Sequence, residues 1–156
     1  MKTLVKKNAL KAGRGATFDI VTSVAVSDVV ALYKAGGWWK ESAAARRIIP
    51  KMVRNSFAFA VARDASGKIV GMGRVISDGF SDAYIQDVVV LNSYRGQGIG
   101  RGIIKTLVKH CTKKKLPWIG LVAEPGTYPF YRGIGFKDKK GYQLMLMDQR
   151  KGAVNI

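Results

Sequence analysis

The residues best placed to do chemistry sit in one run: Asp87-Val88-Val89-Val90-Leu91-Asn92-Ser93-Tyr94-Arg95-Gly96-Gln97-Gly98-Ile99-Gly100. An apolar strand pattern passes through a short polar turn into alternating glycines, and a helical pattern begins. Glycine lets the backbone come close to a ligand. A helix N-terminus adds N–H groups without intrahelical acceptors and a partial positive charge. Together they make a site for a phosphate or pyrophosphate. Arg95 and Arg101 supply guanidinium groups for charge-assisted bonds to phosphate oxygens.

Spacing excludes two familiar phosphate loops. The nucleoside-triphosphate loop ends in Gly-Lys-Ser/Thr, whereas Gly100 is followed by Arg101 and Gly102, with no hydroxyl for a magnesium ion. The dinucleotide fingerprint needs G-x-G-x-x-G with further βαβ units after it. Here the spacing is G-x-G-x-G-x-G from Gly96 to Gly102, late in the chain.

The pattern Arg-x-x-Gly-x-Gly at Arg95, Gly98 and Gly100 resembles motif A of the GNAT N-acetyltransferases. A second stretch, Phe130-Tyr131-Arg132-Gly133-Ile134-Gly135-Phe136, is similar to that family's F-Y-x-x-x-G-F signature. The resemblance covers roughly residues 56–148. It implies acetyl-coenzyme A as co-substrate, its pyrophosphate held by the loop Arg95, Gly96, Gln97, Gly98, Ile99, Gly100 and Arg101. It implies that main-chain groups of Val88, Val89 and Val90 pair with the pantetheine arm, as an added strand would. A backbone N–H there can also polarise the thioester carbonyl. Tyr131 would stand at the thiol, where a phenol can donate a proton to the departing thiolate. Tyr128, one helical turn earlier, is the alternative donor.

Acetyl transfer to an amine also requires a neutral nitrogen, because an alkylammonium with a pKa near ~10.4 is protonated at neutral pH. A base must take that proton. His110, the single histidine, lies far along the helix from the glycine loop. Asp87 is the leading candidate: it opens an apolar run, and a carboxylate beside apolar walls is poised to act as a base. Glu124 is the second. Many family members carry Asn at that position, so Glu124-Pro125 departs from the pattern. Trp38 and Trp39, with Asp78 and Phe80, are candidates for an aromatic acceptor pocket suited to an arylalkylamine or another cation. The stretches from Gly36-Gly37-Trp38 through Arg74-Val75-Ile76-Ser77-Asp78 to Ile85-Gln86-Asp87 resemble plant-type serotonin N-acetyltransferases and their bacterial relatives.

Composition narrows the alternatives. At 156 residues the expectation is one domain spanning 1–156, with residues 1–16 as a basic tail or a targeting segment. Cys111 is the lone cysteine, which excludes an internal disulfide and suits a reducing, cytoplasmic setting. One Cys and one His make no Cys/His zinc site, so no metal is expected. No apolar run is long enough to span a bilayer, and no membrane partner is expected. The net charge of +17 favours anionic partners. Two other readings stay open. One is acetylation of a protein N-terminus or lysine, although a basic enzyme repels basic tails. The other is a non-catalytic nucleic-acid-binding module, against which the lysines are scattered and no nucleic-acid motif appears. A homodimer is compatible with all of these.

The elements that must position these residues follow from periodicity. Strands are expected at Thr17–Val24, Phe57–Arg63, Ile69–Ile76, Ala83–Leu91, Trp118–Ala123 and Tyr142–Asp148. Helices are expected from Ser27/Asp28 to Lys34, over Glu41–Arg54 with a kink or split at Pro50, from Gly98 to about Lys114, and within Gly126–Gly133. This order describes an α/β fold: a mixed, mainly antiparallel sheet flanked by helices. The resemblance implies that Ala83–Leu91 and Trp118–Ala123 splay apart at the cofactor cleft.

Overall fold

A computed structural model describes residues 15–147, which divide into two compact units, one ending at Leu121 and one beginning at Val122. The first holds β1 (Thr17–Ile20), α1 (Val26–Ala35), α2 (Ala43–Asn55), β2 (Ala58–Arg63), β3 (Ile69–Ile76), β4 (Asp82–Val90), α3 (Ile99–Lys113) and β5 (Trp118–Leu121). The second holds α4 (Tyr128–Arg132). The sheet runs β1-β2-β3-β4-β5. Neighbours are antiparallel except β4 and β5, which are parallel and joined through α3. This is the mixed α/β architecture that the element order implied.

Helices cover both faces. On one, α3 presents Ile99, Ile103 and Leu107 so closely that a Cβ added at Gly71 would lie 2.8 Å from Ile103. A Cβ at Gly73 would lie 2.9 Å from the same side chain. The helix therefore needs glycines on β3. On the other face, Val29, Val30 and Leu32 of α1 and Ile49 and Val53 of α2 pack with Phe59, Val61, Met72 and Val89. Apolar burial of this kind is the main favourable term for the unit.

Several local expectations are corrected. Helix α1 starts at Val26 behind Ala25, with no side-chain cap; Asp28 sits in its first turn, where it complements the helix dipole instead. Pro50 lies inside an uninterrupted α2, which opens on Ser42 accepting from the Ala45 N–H at 3.0 Å. The strand expected at Tyr142–Asp148 does not form over Tyr142–Met147, and Asp148 lies outside the described residues. Tyr142, Leu144, Met145 and Leu146 are all exposed. Among the described residues the run has no neighbouring strand to take its main-chain groups, and a lone strand is not stable. The basic segment 1–14 also lies outside the described residues.

Two irregularities of β4 matter for function. Met72 pairs with Val89 and Arg74 with Gln86, so β4 has one residue more than β3 across this interval. That is a β-bulge, and Asp87 in it adopts a left-handed φ of 54°. Pairing with β5 runs from Asp82↔Trp118 to Ile85↔Leu121 and stops, while β4 continues to Val90. Among the described residues, the edge of β4 beyond Ile85 has no strand neighbour on that side.

Candidate active site

The glycine loop is held from both ends. After β4, the Leu91 N–H donates to the Val70 carbonyl at 2.9 Å, and a single 3-10 turn spans Asn92–Tyr94. Tyr94 donates to Asp64 Oδ2 at 2.8 Å, tying the loop to the β2–β3 turn. Hydrogen bonds from Ser66 and Tyr94 hold the Asp64 carboxyl down at about 2. Gly96 (φ 74°) and Gly98 (φ 80°) are both left-handed, with open space where a side chain would stand. Gly98 caps α3, and its carbonyl accepts from the Gly102 N–H at 3.0 Å. The N–H groups of Ile99 and Gly100 precede it and have no acceptor inside the helix. Positive φ, open space and a helix N-terminus suit a diphosphate.

Two loop residues carry tasks that the sequence did not show. Arg95 donates from Nε to the Val90 carbonyl and from Nη2 to the Ala35 carbonyl, both at 3.1 Å. A cation at the C-terminus of α1 is electrostatically favourable, so Arg95 ties α1 to the loop. Gly102 serves packing: a Cβ there would lie 2.2 Å from Phe18 Cζ. Arg101 is exposed on the first turn of α3. Val89 is buried, whereas Val88 and Val90 are half-buried along the open edge of β4.

The bulge turns Asp87 toward α1, into surroundings unlike the apolar walls expected for it. Tyr33 Oη donates to Asp87 Oδ2 at 2.8 Å and Arg74 Nε to the same oxygen at 2.5 Å. Arg74 Nη2 also reaches Gln86 Oε1 at 3.2 Å. The Arg74 and Asp87 side chains are 17% and 23% exposed, so solvent screens the pair less than a surface ion pair. Burial first, then the charge and hydrogen bond of Asp87, push the Tyr33 hydroxyl well above the usual phenol range, so it remains a donor. Asp87 Oδ1 has no hydrogen-bond partner among the described residues. Tyr33 was missed from sequence, because nothing local links a tyrosine on α1 to a carboxylate 54 positions later. Arg74 did carry a signal: it is the one charged residue in an otherwise apolar β3.

The aromatic candidates separate. Trp38 meets Tyr33 edge-on and Trp39 stacks on it, each with centroids 6.3 Å apart. Trp39 also donates to Glu41 Oε2 at 3.0 Å and packs against the core. Phe80 is almost fully exposed in the β3–β4 turn. Among the described residues its ring contacts neither tryptophan. Asp78 accepts from the N–H groups of Phe80 at 2.8 Å and Ser81 at 3.1 Å, which pulls its carboxyl below the usual range; it builds the turn. The two tryptophans thus gather on Tyr33 of α1, while Phe80 stands in the β3–β4 turn.

In the second unit, Tyr131 is half-buried between the edges of Phe130 and Phe136. Burial first, and then the charge of Glu124, raise its hydroxyl above the usual phenol range. Tyr128 is more exposed. Glu124 uses its carbonyl to accept from the Thr127 N–H and hydroxyl at 3.0 and 2.7 Å. His110 packs against Phe57 near the far end of α3, consistent with a packing role.

The first unit thus combines a glycine loop at the start of α3 with a strand edge left open beside it. The acetyltransferase (GNAT) domain family matches residues 31–144, and the chain belongs to that family. It is 33% identical over 110 residues to an uncharacterized N-acetyltransferase, ycf52, of Pyropia yezoensis, covering 70% of this chain and 63% of that protein. It is 39% identical over 75 residues to the chloroplastic serotonin N-acetyltransferase 2 of rice, covering 48% of this chain and 38% of that protein. The chain thus spans less than two thirds of these relatives. Among solved structures, a GNAT-family acetyltransferase of Streptococcus pneumoniae superposes with a TM-score of 0.67 at 28% identity, over 85% of this chain and 99% of that one. No helix among the described residues is long and apolar enough to cross a membrane.

Proposed function

We propose that this chain is an acetyl-CoA-dependent N-acetyltransferase acting on a small primary amine, of the arylalkyl class. The observation that carries the reading is the glycine loop, left-handed at Gly96 and Gly98, opening α3 beside the unpaired edge of β4. The N–H groups of Gln97, Gly98, Ile99 and Gly100 would hold the pyrophosphate, with Arg101 adding charge. Main-chain groups of Val88, Val89 and Val90 would align the pantetheine arm as an added strand is aligned.

Transfer then needs one bond formed and one broken. The neutral amine nitrogen attacks the thioester carbon, the C–N bond forms, and the C–S bond breaks with its electron pair leaving on sulfur. The nitrogen's proton passes to the Asp87 carboxylate. Tyr131 donates a proton to the thiolate, and solvent returns the proton balance between the two groups. Arg74 beside Asp87 disfavours a second cation, which favours the amine in its neutral, nucleophilic form. The similarity to the rice serotonin N-acetyltransferase supports an arylalkylamine acceptor. The basic character of the chain weighs against lysine-rich peptide tails.

The test is thiol release from acetyl-CoA with a panel of arylalkylamines, alkylamines, polyamines and peptides. Turnover with arylalkylamines above peptides is expected. Turnover confined to peptides would replace the small-amine assignment with protein acetylation, and turnover with none would remove the assigned reaction.

A further inference from the structure

Ring contacts and exposure single out one further surface of the first unit. Tyr84 on β4 and Trp118 on β5 lie with centroids 5.2 Å apart, and they are 43% and 39% exposed. Ile76, which pairs with Tyr84 across β3 and β4, is 45% exposed. The Trp118 ring lies over Gly120: a Cβ there would be 2.2 Å from Cη2. Gly120 in turn pairs with Tyr84. Glycine at 120 therefore makes room for the indole beside the phenol, to whose plane it is tilted by 53°, and any side chain there would displace it.

This shelf shares a face with Asp87. Arg74 bonds both Gln86 and Asp87, so those two side chains stand on its face of the sheet. Tyr84 precedes Gln86 by two residues in regular strand and points the same way. The opposite face is taken by α3. Helices α1 and α2 cover the Met72–Val89 end of the Asp87 face and leave the Tyr84–Trp118 end exposed. From Tyr84 to Asp87 is about 10 Å of strand, a span that an aryl ring on a short alkyl chain crosses.

We infer that the Tyr84–Trp118 shelf is the subsite for the aryl group of the acceptor, with the amine directed to Asp87 Oδ1. This deepens the arylalkylamine reading and rests on it. An amine hydrogen bond satisfies the carboxylate oxygen that no described residue engages, and ring stacking on two exposed aromatics gains both apolar burial and favourable ring geometry. Specificity follows from the strand: a plain alkylamine reaches Oδ1 but has nothing to place on the shelf.

The test is calorimetric titration of phenethylamine and n-butylamine into the full chain saturated with coenzyme A. It is repeated on Trp118→Leu and Tyr84→Leu, each checked for fold by circular dichroism. Wild type is expected to bind phenethylamine roughly tenfold more tightly than n-butylamine. Either substitution should erase most of that difference and leave n-butylamine affinity unchanged. Equal affinity for the two amines in wild type, or a preference untouched by both substitutions, would overturn the subsite. So would substitutions that alter only the sedimentation of the protein, since the shelf would then be a contact between copies. Because binding is read directly, the subsite can fail while acetyl transfer to other amines persists. Absence of thiol release with any amine would instead remove the parent reading.

Discussion

At the scale of single residues, the Asp87 carboxylate is arranged by two donors from distant parts of the chain. Tyr33 donates to its Oδ2 from α1, with Met52 Sδ lying 3.1 Å from the same hydroxyl, while Arg74 fixes it from β3. Tyr33→Phe keeps the ring that stacks on Trp39 and removes only the hydroxyl. We expect a stability loss of about 1 kcal/mol, as for one hydrogen bond to a charged or polar partner, read by urea denaturation. If Asp87 takes the amine's proton, the same variant also shifts the acidic limb of the kcat/KM profile. A profile superimposable on wild type would show that Tyr33 only packs. For Tyr131→Phe we expect turnover to fall roughly a hundredfold or more with coenzyme A affinity unchanged. Because burial and then Glu124 raise the Tyr131 hydroxyl, it holds its proton more firmly than an ordinary phenol. Wild-type kcat should therefore hold without an alkaline fall until pH exceeds ~10. An unchanged rate in the phenylalanine variant would reject the proton-donor role.

At the scale of elements, α3 divides its residues between ligand and packing. Gly102→Ala drives a methyl into Phe18 and should destabilise by about 1–3 kcal/mol, the range for overpacking. Its melting temperature checks this, and a variant as stable as wild type would contradict the close approach. At the other end of α3, burial and then Lys114 and Lys113 lower the His110 imidazole. The folded group resists a proton that the unfolded one accepts. Its contribution to stability is thus present above pH ~6.5 and is lost as pH falls through the folded value. His110→Gln should flatten the fall in melting temperature between neutral and acidic pH; an equal slope in both proteins would refute this. Much of the element pattern was legible beforehand, because Ile99, Ile103 and Leu107 repeat at helical spacing and β2 and β3 flank a turn sequence. The features that shape the site were less legible. The bulge at Asp87 is a mismatch between two strands and leaves no local mark. The partners of Arg95 and Tyr33 come from elements far away in sequence. Tyr142–Met147 carries a strand pattern but has no strand neighbour among the described residues, and a pattern alone does not supply one.

At the scale of the whole molecule, the net charge of +17 is the dominant long-range property. It draws anions, and acetyl-CoA is a multiply charged anion. Raising salt from about 0.05 to about 0.5 M shortens the screening length severalfold and should weaken acetyl-CoA binding measurably. Affinity independent of salt would mean that main-chain contacts alone set it. The central claim is that the loop from Gly96 to Gly100 cradles the pyrophosphate of acetyl-CoA, and its most direct test is calorimetric titration of acetyl-CoA and of acetyl-pantetheine, which lacks the pyrophosphate. Wild type should bind acetyl-CoA far more tightly than acetyl-pantetheine. In Gly98→Val/Gly100→Val, with its fold verified by circular dichroism, that advantage should vanish. No binding of acetyl-CoA to wild type, or equal binding to the doubly substituted protein, would contradict the account.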